Sequence, residues 1–198
     1  NIFGCLGNLS YLCTQETKSI AMDTIRLSDI KQGMPGISPI EGANLYENCI
    51  VALHNSGHPS TVELRMEGLR TEPFLLAWDD ECNDQLLRTY ADEQSVTERS
   101  AVAVSVMLAL QTTSYSVIER SRKGTGFDYM LGDSLDPLFT PKARLEVSGI
   151  MRESEGNTLA MRFQQKTAQT GKSDDTRLPA YVSVVEFSTP KAKFDIKK

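Results

Sequence analysis

The sequence has no long hydrophobic run: its apolar stretches all fall well short of the roughly 20 residues that a membrane-spanning helix needs. The first residues, NIFGCLGNLSYLC, carry no charged side chain ahead of the apolar ones, which is unlike a secretory signal peptide. We therefore expect a cytoplasmic protein that does not enter a membrane.

Cysteine and histidine are few, with four Cys and two His in 198 residues. The four cysteines lie far apart and include no Cys-x-x-Cys pair, so we expect free thiols rather than a disulfide scaffold. Histidine occurs only in HNSGHPS, which leaves Ser121 and Ser148 without a histidine at a convincing spacing and argues against a serine-hydrolase triad. The same stretch is typical of a hairpin turn, so zinc is the less favoured interpretation of the set Cys49, His54, His58 and Cys82.

A strong positive charge is also missing, because the formal net charge is −5. This argues against a protein that coats nucleic acid. The charge is unevenly distributed: residues 142–198 carry 11 basic and 7 acidic side chains, a balance of +4, whereas residues 1–141 carry 10 and 19, a balance of −9. The C-terminal third is therefore the part that we expect to face a polyanion.

What the sequence does contain is the composition of a globular protein, with 40% hydrophobic and 24% charged residues. Residues 1–94 are predicted to form a β-rich N-terminal extension. Within it, NCIVALHN and TVELRMEG alternate on either side of the turn SGHPS, as in an antiparallel hairpin, and PFLLAWDD predicts a third strand. DECNDQLLRTYADE then predicts a short helix or an extended linker, and residues 31–42 predict a loop because they are rich in Gly and Pro.

Residues 95–198 are predicted to form a core with the order helix, strand, strand, strand, helix, strand. The first helix begins at the capping-box pair Ser95 and Glu98, or at Thr97, and it is apolar almost all round, so we expect it to be buried. The later elements are predicted at 115–121, 126–132, 143–151, 157–171 and 179–189, and KAKFDIKK at the end is expected to be a solvated tail. The predicted fold class is α+β (α/β-like), with a central mixed sheet flanked by helices.

Two isolated carboxylates stand out in this core. Asp128 interrupts the apolar strand in KGTGFDYML, and Glu146 interrupts the next strand in LEVSG. Adjacent strands lie about 4.8 Å apart, so the two carboxylates share one site if these strands pair. Two such groups repel each other unless one keeps a proton or a hard cation binds between them. The hypothesis is a Mg²⁺ or Mn²⁺ site held by Asp128 and Glu146, with Glu98 contributing through water.

Taken together, the αβββαβ order, the acid at the start of the first helix, the Asp in the second strand and the Glu in the third strand resemble the core of the PD-(D/E)XK nuclease superfamily. The resemblance covers residues 95–189 and implies a restriction-endonuclease-like fold in which Asp128 and Glu146 bind the metal and Glu98 is the helix acid. The segments GTGFDYML and ARLEVSGI also resemble small uncharacterised bacterial proteins, a likeness that carries no activity.

One residue departs from the family pattern, because Ser148 stands where the family has its catalytic lysine. A serine supplies no positive charge for the attacking hydroxide or the transition state. The best substitute is Lys166 on the following helix, with Arg162 one turn before it, and Lys123 in the turn before Asp128 is a weaker one. The implied catalytic set is therefore Asp128, Glu146, Lys166 and Glu98.

Two functions follow from this resemblance. The first is a metal-dependent phosphodiesterase that hydrolyses DNA, as in restriction, repair or phage defence, with the backbone contacted by Arg120, Arg122, Lys123 and Arg162. The alternative is a catalytically inactive nuclease-fold module, with Ser148 marking the loss of chemistry, which binds a protein partner or a second copy of itself.

Each candidate residue also has a purely structural interpretation. Asp128 is explained equally by an ion pair with Arg144 or Arg120, or by backbone amides of the glycine turn. Glu146 is explained by an outward position on an edge strand, and Glu98 by the favourable dipole at a helix N-terminus. Lys166 is explained by an ordinary solvent-facing helix position.

Overall fold

The computed structural model describes residues 22–197. Eight strands and four α-helices follow one another along this part of the chain: β1 (Thr24–Arg26), α1 (Pro39–Asn55), β2 (Thr61–Gly68), β3 (Phe74–Ala77), α2 (Asp84–Thr89), α3 (Glu93–Thr113), β4 (Ser116–Arg120), β5 (Tyr129–Gly132), β6 (Pro141–Ile150), α4 (Leu159–Gln169), β7 (Ala180–Glu186) and β8 (Lys191–Ile196). A 3-10 helix follows β1 at Leu27–Gln32, and another follows α4 at Thr170–Thr176. The stretch NIFGCLGNLSYLC, with Cys5 and Cys13, lies outside the described residues.

All eight strands belong to one mixed sheet with the order β1-β3-β2-β8-β7-β6-β5-β4. β4, β5 and β6 pair antiparallel in succession, and β6 and β7 pair parallel through the crossover helix α4. β8 then pairs antiparallel with β7 and parallel with β2, which joins the strands of residues 22–94 to those of the second half. The α+β class with a central mixed sheet is thus confirmed, and so is the element order from α3 to β7.

The N-terminal hairpin prediction is wrong in its first strand. NCIVALHN lies within helix α1, which buries residues on almost every side, including Cys49, Ile50 and Leu53. A helix enclosed in this way has no polar face, so its apolar run resembles a buried strand. The N-terminus of α1 nevertheless has residues typical of a helix start. The Ser38 hydroxyl accepts a hydrogen bond from Glu41 N–H, and Pro39 occupies the first turn.

Two features of the second half also differ from the prediction, the start of its first helix and the structure of its last residues. Helix α3 is capped by Asp92, whose carboxylate accepts a hydrogen bond from Ser95 N–H, rather than by Ser95 or Thr97. The expected solvated tail is strand β8, which buries Ala192 and Phe194 against its neighbours. Alternation of these apolar residues with lysines places the apolar side chains in the core and the charged ones outside.

Helices α3 and α4 cover opposite faces of the sheet. On β6, a Cβ added to Gly149 would lie 2.4 Å from the Thr97 carbonyl oxygen of α3, so the helix packs directly on the strand backbone. The neighbouring Ser148 faces α4, where its hydroxyl accepts a hydrogen bond from Arg162. Successive residues of a strand point to opposite faces, so β6 lies between the two helices.

The larger hydrophobic core lies between the sheet and helices α1 and α3, and a smaller cluster of Ile150, Leu159 and Val184 lies under α4. Burial of these apolar side chains supplies the main driving force for assembling the layers. Within residues 22–197, no helix combines the length and the apolar character that crossing a membrane requires.

Candidate active site

The candidate site lies where the pairing between β5 and β6 ends. Tyr129 at the start of β5 pairs with Leu145, so Asp128 directly precedes the last paired position and is the cross-strand neighbour of Glu146. The Asp128 carboxylate accepts a hydrogen bond from Val147 N–H at 2.8 Å. This hydrogen bond continues the β5–β6 pairing by one step. The amide belongs to β6 and not to the glycine turn that the structural interpretation of Asp128 named.

The Glu146 carboxylate is deeply buried and unevenly bonded. Its side chain is 1% exposed, and its Oε1 atom accepts hydrogen bonds from Lys166 Nζ at 2.7 Å and Gln169 Nε2 at 2.9 Å. Its Oε2 atom is buried without a hydrogen-bond partner. A buried carboxylate oxygen without a donor is costly, so this atom is suited to accept a proton or a cation.

Both carboxyl groups are shifted toward their protonated forms. Burial, followed by repulsion from Asp128, raises the pKa of Glu146 to about 7, although the Lys166 ammonium opposes the shift. Burial also raises the pKa of Asp128, while the Val147 N–H and Lys166 lower it. The contact between the two carboxyl groups raises the pKa of Glu146 and lowers that of Asp128, so a proton shared by the pair resides on Glu146. Carboxyl groups with pKa values perturbed in this way are typical of a functional site.

Helix α4 supplies the positive charge of the site. Lys166 and Arg162 lie one turn apart, so they share a face and reach Glu146 and Ser148, respectively. The Arg162 guanidinium is further oriented by two hydrogen bonds to the Asn157 side-chain oxygen. A cation from the helix therefore lies beside Ser148.

The ends of α4 are anchored by buried polar contacts. Thr158 caps its first turn, and the Leu159 N–H donates to the Glu153 carboxylate. After its last turn, Arg144, only 3% exposed, donates to the Thr170 and Leu178 carbonyl oxygens and to the Ser173 hydroxyl. These contacts fix the helix on the sheet, and with it the side chains that reach Glu146.

A tight approach of the glycine turn completes the placement. Gly126 has φ of 83°, and a Cβ at this position would lie 2.5 Å from the Gln169 carbonyl oxygen at the end of α4. Only glycine combines that backbone conformation with so short an approach. Gly126 thus brings the chain against the end of α4 two residues before Asp128, whereas a Cβ at Gly124 would meet nothing within 4 Å.

A cleft of about 1010 Å³ opens beside the part of β6 that pairs with β7 but has no β5 partner. Its floor includes Val147, Ser148 and Gly149, and Asp128 and Lys166 lie on its surface. One side, here called the acidic lip, is formed by Glu93 and Glu98 of α3. The other side, here called the basic lip, comes from α4 and the loop before it and consists of Arg152, Arg162 and Lys166.

The residues predicted from the sequence are distributed unequally around this cleft. Asp128, Glu146 and Lys166 lie together, with Glu146 buried behind the other two. Glu98 lines the cleft, where its carboxylate accepts a hydrogen bond from Gln94, and Arg120 and Arg162 line it as well. Arg122 and Lys123 lie in the exposed turn between β4 and β5, outside the cleft.

Several alternatives considered for single residues are not what the structure shows. Arg144 contacts the 3-10 helix after α4 and not Asp128, and Glu146 points inward rather than outward. Cys49 is a buried free thiol, and the His58 ring contacts the Phe187 carbonyl oxygen. Residues 22–197 contain no group of three or more His, Cys, Asp and Glu side chains placed to hold a metal ion.

The sequence interpretation overlooked Gln169 and considered Arg144 only as an ion-pair partner of Asp128. Gln169 follows Lys166 by three residues and so lies on the same helical face, which is the signal that was available. Arg144 sits within an apolar strand two residues before Glu146, where a buried arginine requires acceptors.

Comparisons with protein-family models, with curated proteins and with solved structures found no match.

Proposed function

We propose that this protein is a metal-dependent phosphodiesterase that hydrolyses nucleic acid in the cytoplasm, as in bacterial defence or DNA repair, and that residues 95–189 form a PD-(D/E)XK-like core. One observation carries the proposal: Lys166 Nζ lies 2.7 Å from Glu146 at a cleft that also exposes Asp128. An acidic pair and a single lysine are the groups from which the family builds its active site, and here the lysine comes from α4 instead of β6.

The residues present suit a hard divalent cation such as Mg²⁺ or Mn²⁺. Asp128 and Glu146 offer carboxylate oxygens, and the Glu146 Oε2 atom lacks any partner. The Val147 carbonyl is on the same edge of β6 as its N–H, which faces Asp128, so a backbone oxygen is available as well. A bound cation would lower the pKa of a coordinated water and offset the negative charge of the phosphate.

The cationic side chains have separable roles in this proposal. Lys166 balances the charge of Glu146 and is positioned to stabilise the hydroxide that attacks phosphorus and the charge that develops on the phosphate oxygens. Arg162 and Arg152 lie along the same side of the cleft and bind the phosphates that flank the scissile bond. Hydrolysis breaks the phosphorus–oxygen bond to the leaving sugar oxygen, which takes up a proton from solvent.

Nuclease assays with matched variants test the proposal. We expect purified protein with Mg²⁺ or Mn²⁺ to cleave supercoiled plasmid or single-stranded circular DNA, and EDTA to stop the reaction. Asp128→Asn and Lys166→Met should each lower the rate at least about a hundredfold, the range typical for loss of one acid–base or electrostatic group. Asp175→Asn and Lys172→Met change exposed residues outside the cleft and should retain the activity.

Metal binding provides an independent measurement. Calorimetric titration with Mn²⁺ should detect one site in the wild type, weakened strongly by Asp128→Asn. Absence of both cleavage and metal binding would overturn the proposal, and cleavage that survives in both site variants would point to a contaminant.

A second candidate function, a protein-binding module, is favoured by a different observation. Leu135 and Leu138 in the loop between β5 and β6 are 88% and 83% exposed, and Phe139 beside them is 45% exposed. Asp133 and Asp136 fix this loop by accepting hydrogen bonds from its backbone N–H groups. A rigid apolar protrusion is a usual feature of protein interfaces, and Leu138→Asp should weaken such an interface without affecting cleavage.

A further inference from the structure

The two sides of the cleft differ in charge, and this difference bears on the substrate. The acidic lip comes from the N-terminal turns of α3, where Glu93 and Glu98 are both exposed. The basic lip comes from α4 and its preceding loop, on the other face of the sheet. The part of β6 that has no β5 partner lies between them. A ligand in the cleft therefore meets two carboxylates and Arg120 on the α3 side and only cations on the α4 side.

The N-terminus of α3 does not compensate for the acidic lip. A helix N-terminus attracts anions through its free N–H groups. Here Asp92 already accepts the Ser95 N–H, and Glu93 adds a second carboxylate to the first turn. Of the cations that line the cleft on this face, Arg99 is bound to Glu41 and Asn44. Arg120, which pairs with Tyr129 at the end of β4, is the exposed one, set against the two carboxylates of the acidic lip.

We propose that the cleft takes a single, unpaired nucleic-acid strand, with its phosphates along the basic lip and its bases toward the acidic lip. The inference rests on the phosphodiesterase function proposed above and specifies its substrate. A duplex carries a phosphate backbone on each side of its grooves, so a duplex seated across the cleft would bring one backbone against Glu93 and Glu98. A single strand presents phosphates to one side only.

The acidic lip is suited to the base edges of such a strand. Carboxylates accept hydrogen bonds from the amino groups of cytosine and adenine, and Gln94 of the same turn offers both a donor and an acceptor. An unpaired base exposes both hydrogens of its amino group, whereas in a duplex one is engaged in pairing and the other is reached only through the major groove. We therefore expect cytosine- and adenine-containing strands to bind more tightly than thymine strands.

Binding measurements without metal test the inference separately from cleavage. The probes are a short fluorescein-labelled DNA strand and the blunt duplex of the same sequence, titrated in EDTA and followed by fluorescence anisotropy. The wild type should bind the single strand at least about fivefold more tightly than the duplex, the ratio expected when two carboxylates oppose a second backbone in water.

Charge variants identify the origin of the preference. Glu93→Gln with Glu98→Gln should raise the duplex affinity and reduce the preference to near unity, because both side chains keep their size and lose their charge. The control pair, Glu63→Gln with Glu67→Gln on exposed positions of β2, changes the net charge equally far from the cleft and should leave the preference intact. Arg152→Ala should weaken the binding of both probes.

The outcomes separate the inference from the proposed function. Equal binding of both probes, or tighter binding of the duplex, overturns the single-strand inference and leaves the nuclease function standing. A preference that is unaffected by the lip variants, or equally affected by the β2 control, also overturns it. Absence of binding to either probe would contradict the inference and the proposed function together.

Discussion

At the scale of single residues, the Glu146 carboxylate is the group with the most unusual surroundings. It has two donors on one oxygen and none on the other, and it is next to a second carboxylate. Lys166 and Gln169 both bind Oε1, so they orient the carboxylate and leave Oε2 as the atom that meets an incoming proton or cation. The raised pKa of Glu146 couples its titration to folding.

The stability of the metal-free protein should therefore depend on pH through Glu146. Its folded-state pKa of about 7 lies above the ordinary value of 4.5, so the folded chain holds a proton that the unfolded chain has lost between these pH values. The stabilising contribution is complete below pH 4.5 and is lost as the pH rises through 7, by up to roughly 3 kcal/mol. Chemical denaturation of the wild type and Glu146→Gln in EDTA measures this difference.

Glu146→Gln stays neutral, so its stability relative to the wild type should increase from pH 5 to pH 8. The control is Glu153→Gln, because the Lys191 ammonium lowers the pKa of Glu153 and its contribution has the opposite sign. For this control, the extra stability of the wild type over Glu153→Gln should disappear as the pH falls below the ordinary pKa range of a glutamate. A wild-type to Glu146→Gln difference that does not change with pH would contradict the prediction.

The sequence allowed part of this site to be predicted, for a physical reason. Asp128 and Glu146 are charged residues in apolar strands that follow each other, and consecutive strands usually pair, so their proximity was expected. Lys166 was expected through the resemblance alone, as the substitute for the family lysine whose position Ser148 occupies. Gln169 was not expected, because its position three residues after Lys166 places it on the same helical face but an uncharged amide does not by itself require a buried partner.

At the scale of elements, the contact of α3 with β6 depends on the absence of a side chain at one position. Gly149 lets the Thr97 backbone approach the strand, and α3 carries the acidic lip while β6 carries Glu146. Gly149→Ala should therefore destabilise the fold by about 1–3 kcal/mol, the usual effect of overpacking a tight contact. It should also move the two elements apart and weaken Mn²⁺ binding.

Gly156→Ala is the matched control for this substitution. A Cβ at Gly156, in the exposed turn before α4, has no neighbouring atom within 4 Å. Its stability should stay within about 0.5 kcal/mol of the wild type. Thermal unfolding of the three proteins checks the prediction. Equal melting temperatures for Gly149→Ala and the wild type would contradict it, because α3 would then accommodate the added methyl group without loss of stability.

The errors of the sequence interpretation are also understood at this scale. α1 was taken for a strand because Ile50 and Val51 are β-branched and the helix is enclosed on nearly all sides, which removes the polar face that identifies an amphipathic helix. β8 was taken for a tail because its lysines dominate the composition, although Ala192, Phe194 and Ile196 alternate with them. In both cases the tertiary neighbours, which the sequence does not display locally, decided the structure.

At the scale of the whole molecule, the sheet connects the two halves of the chain. β2 pairs with β8, and the main hydrophobic core combines residues of α1 and α3, such as Leu45 and Val104. Neither half covers its own apolar surface without the other. We therefore expect residues 22–94 and 95–197 to unfold together in one cooperative transition.

This cooperativity is testable because the only tryptophan, Trp78, reports on the first half. Leu159→Ala removes a buried side chain beneath α4, in the second half, and should destabilise the protein by roughly 2–5 kcal/mol. If the halves unfold together, the denaturation midpoint measured by Trp78 fluorescence shifts as far as the midpoint measured by circular dichroism. Met161→Ala, on the exposed face of the same helix, should shift neither by a comparable amount. A Trp78 transition that stays in place while the circular dichroism midpoint falls would instead show that β2 and β8 join two separately folding units.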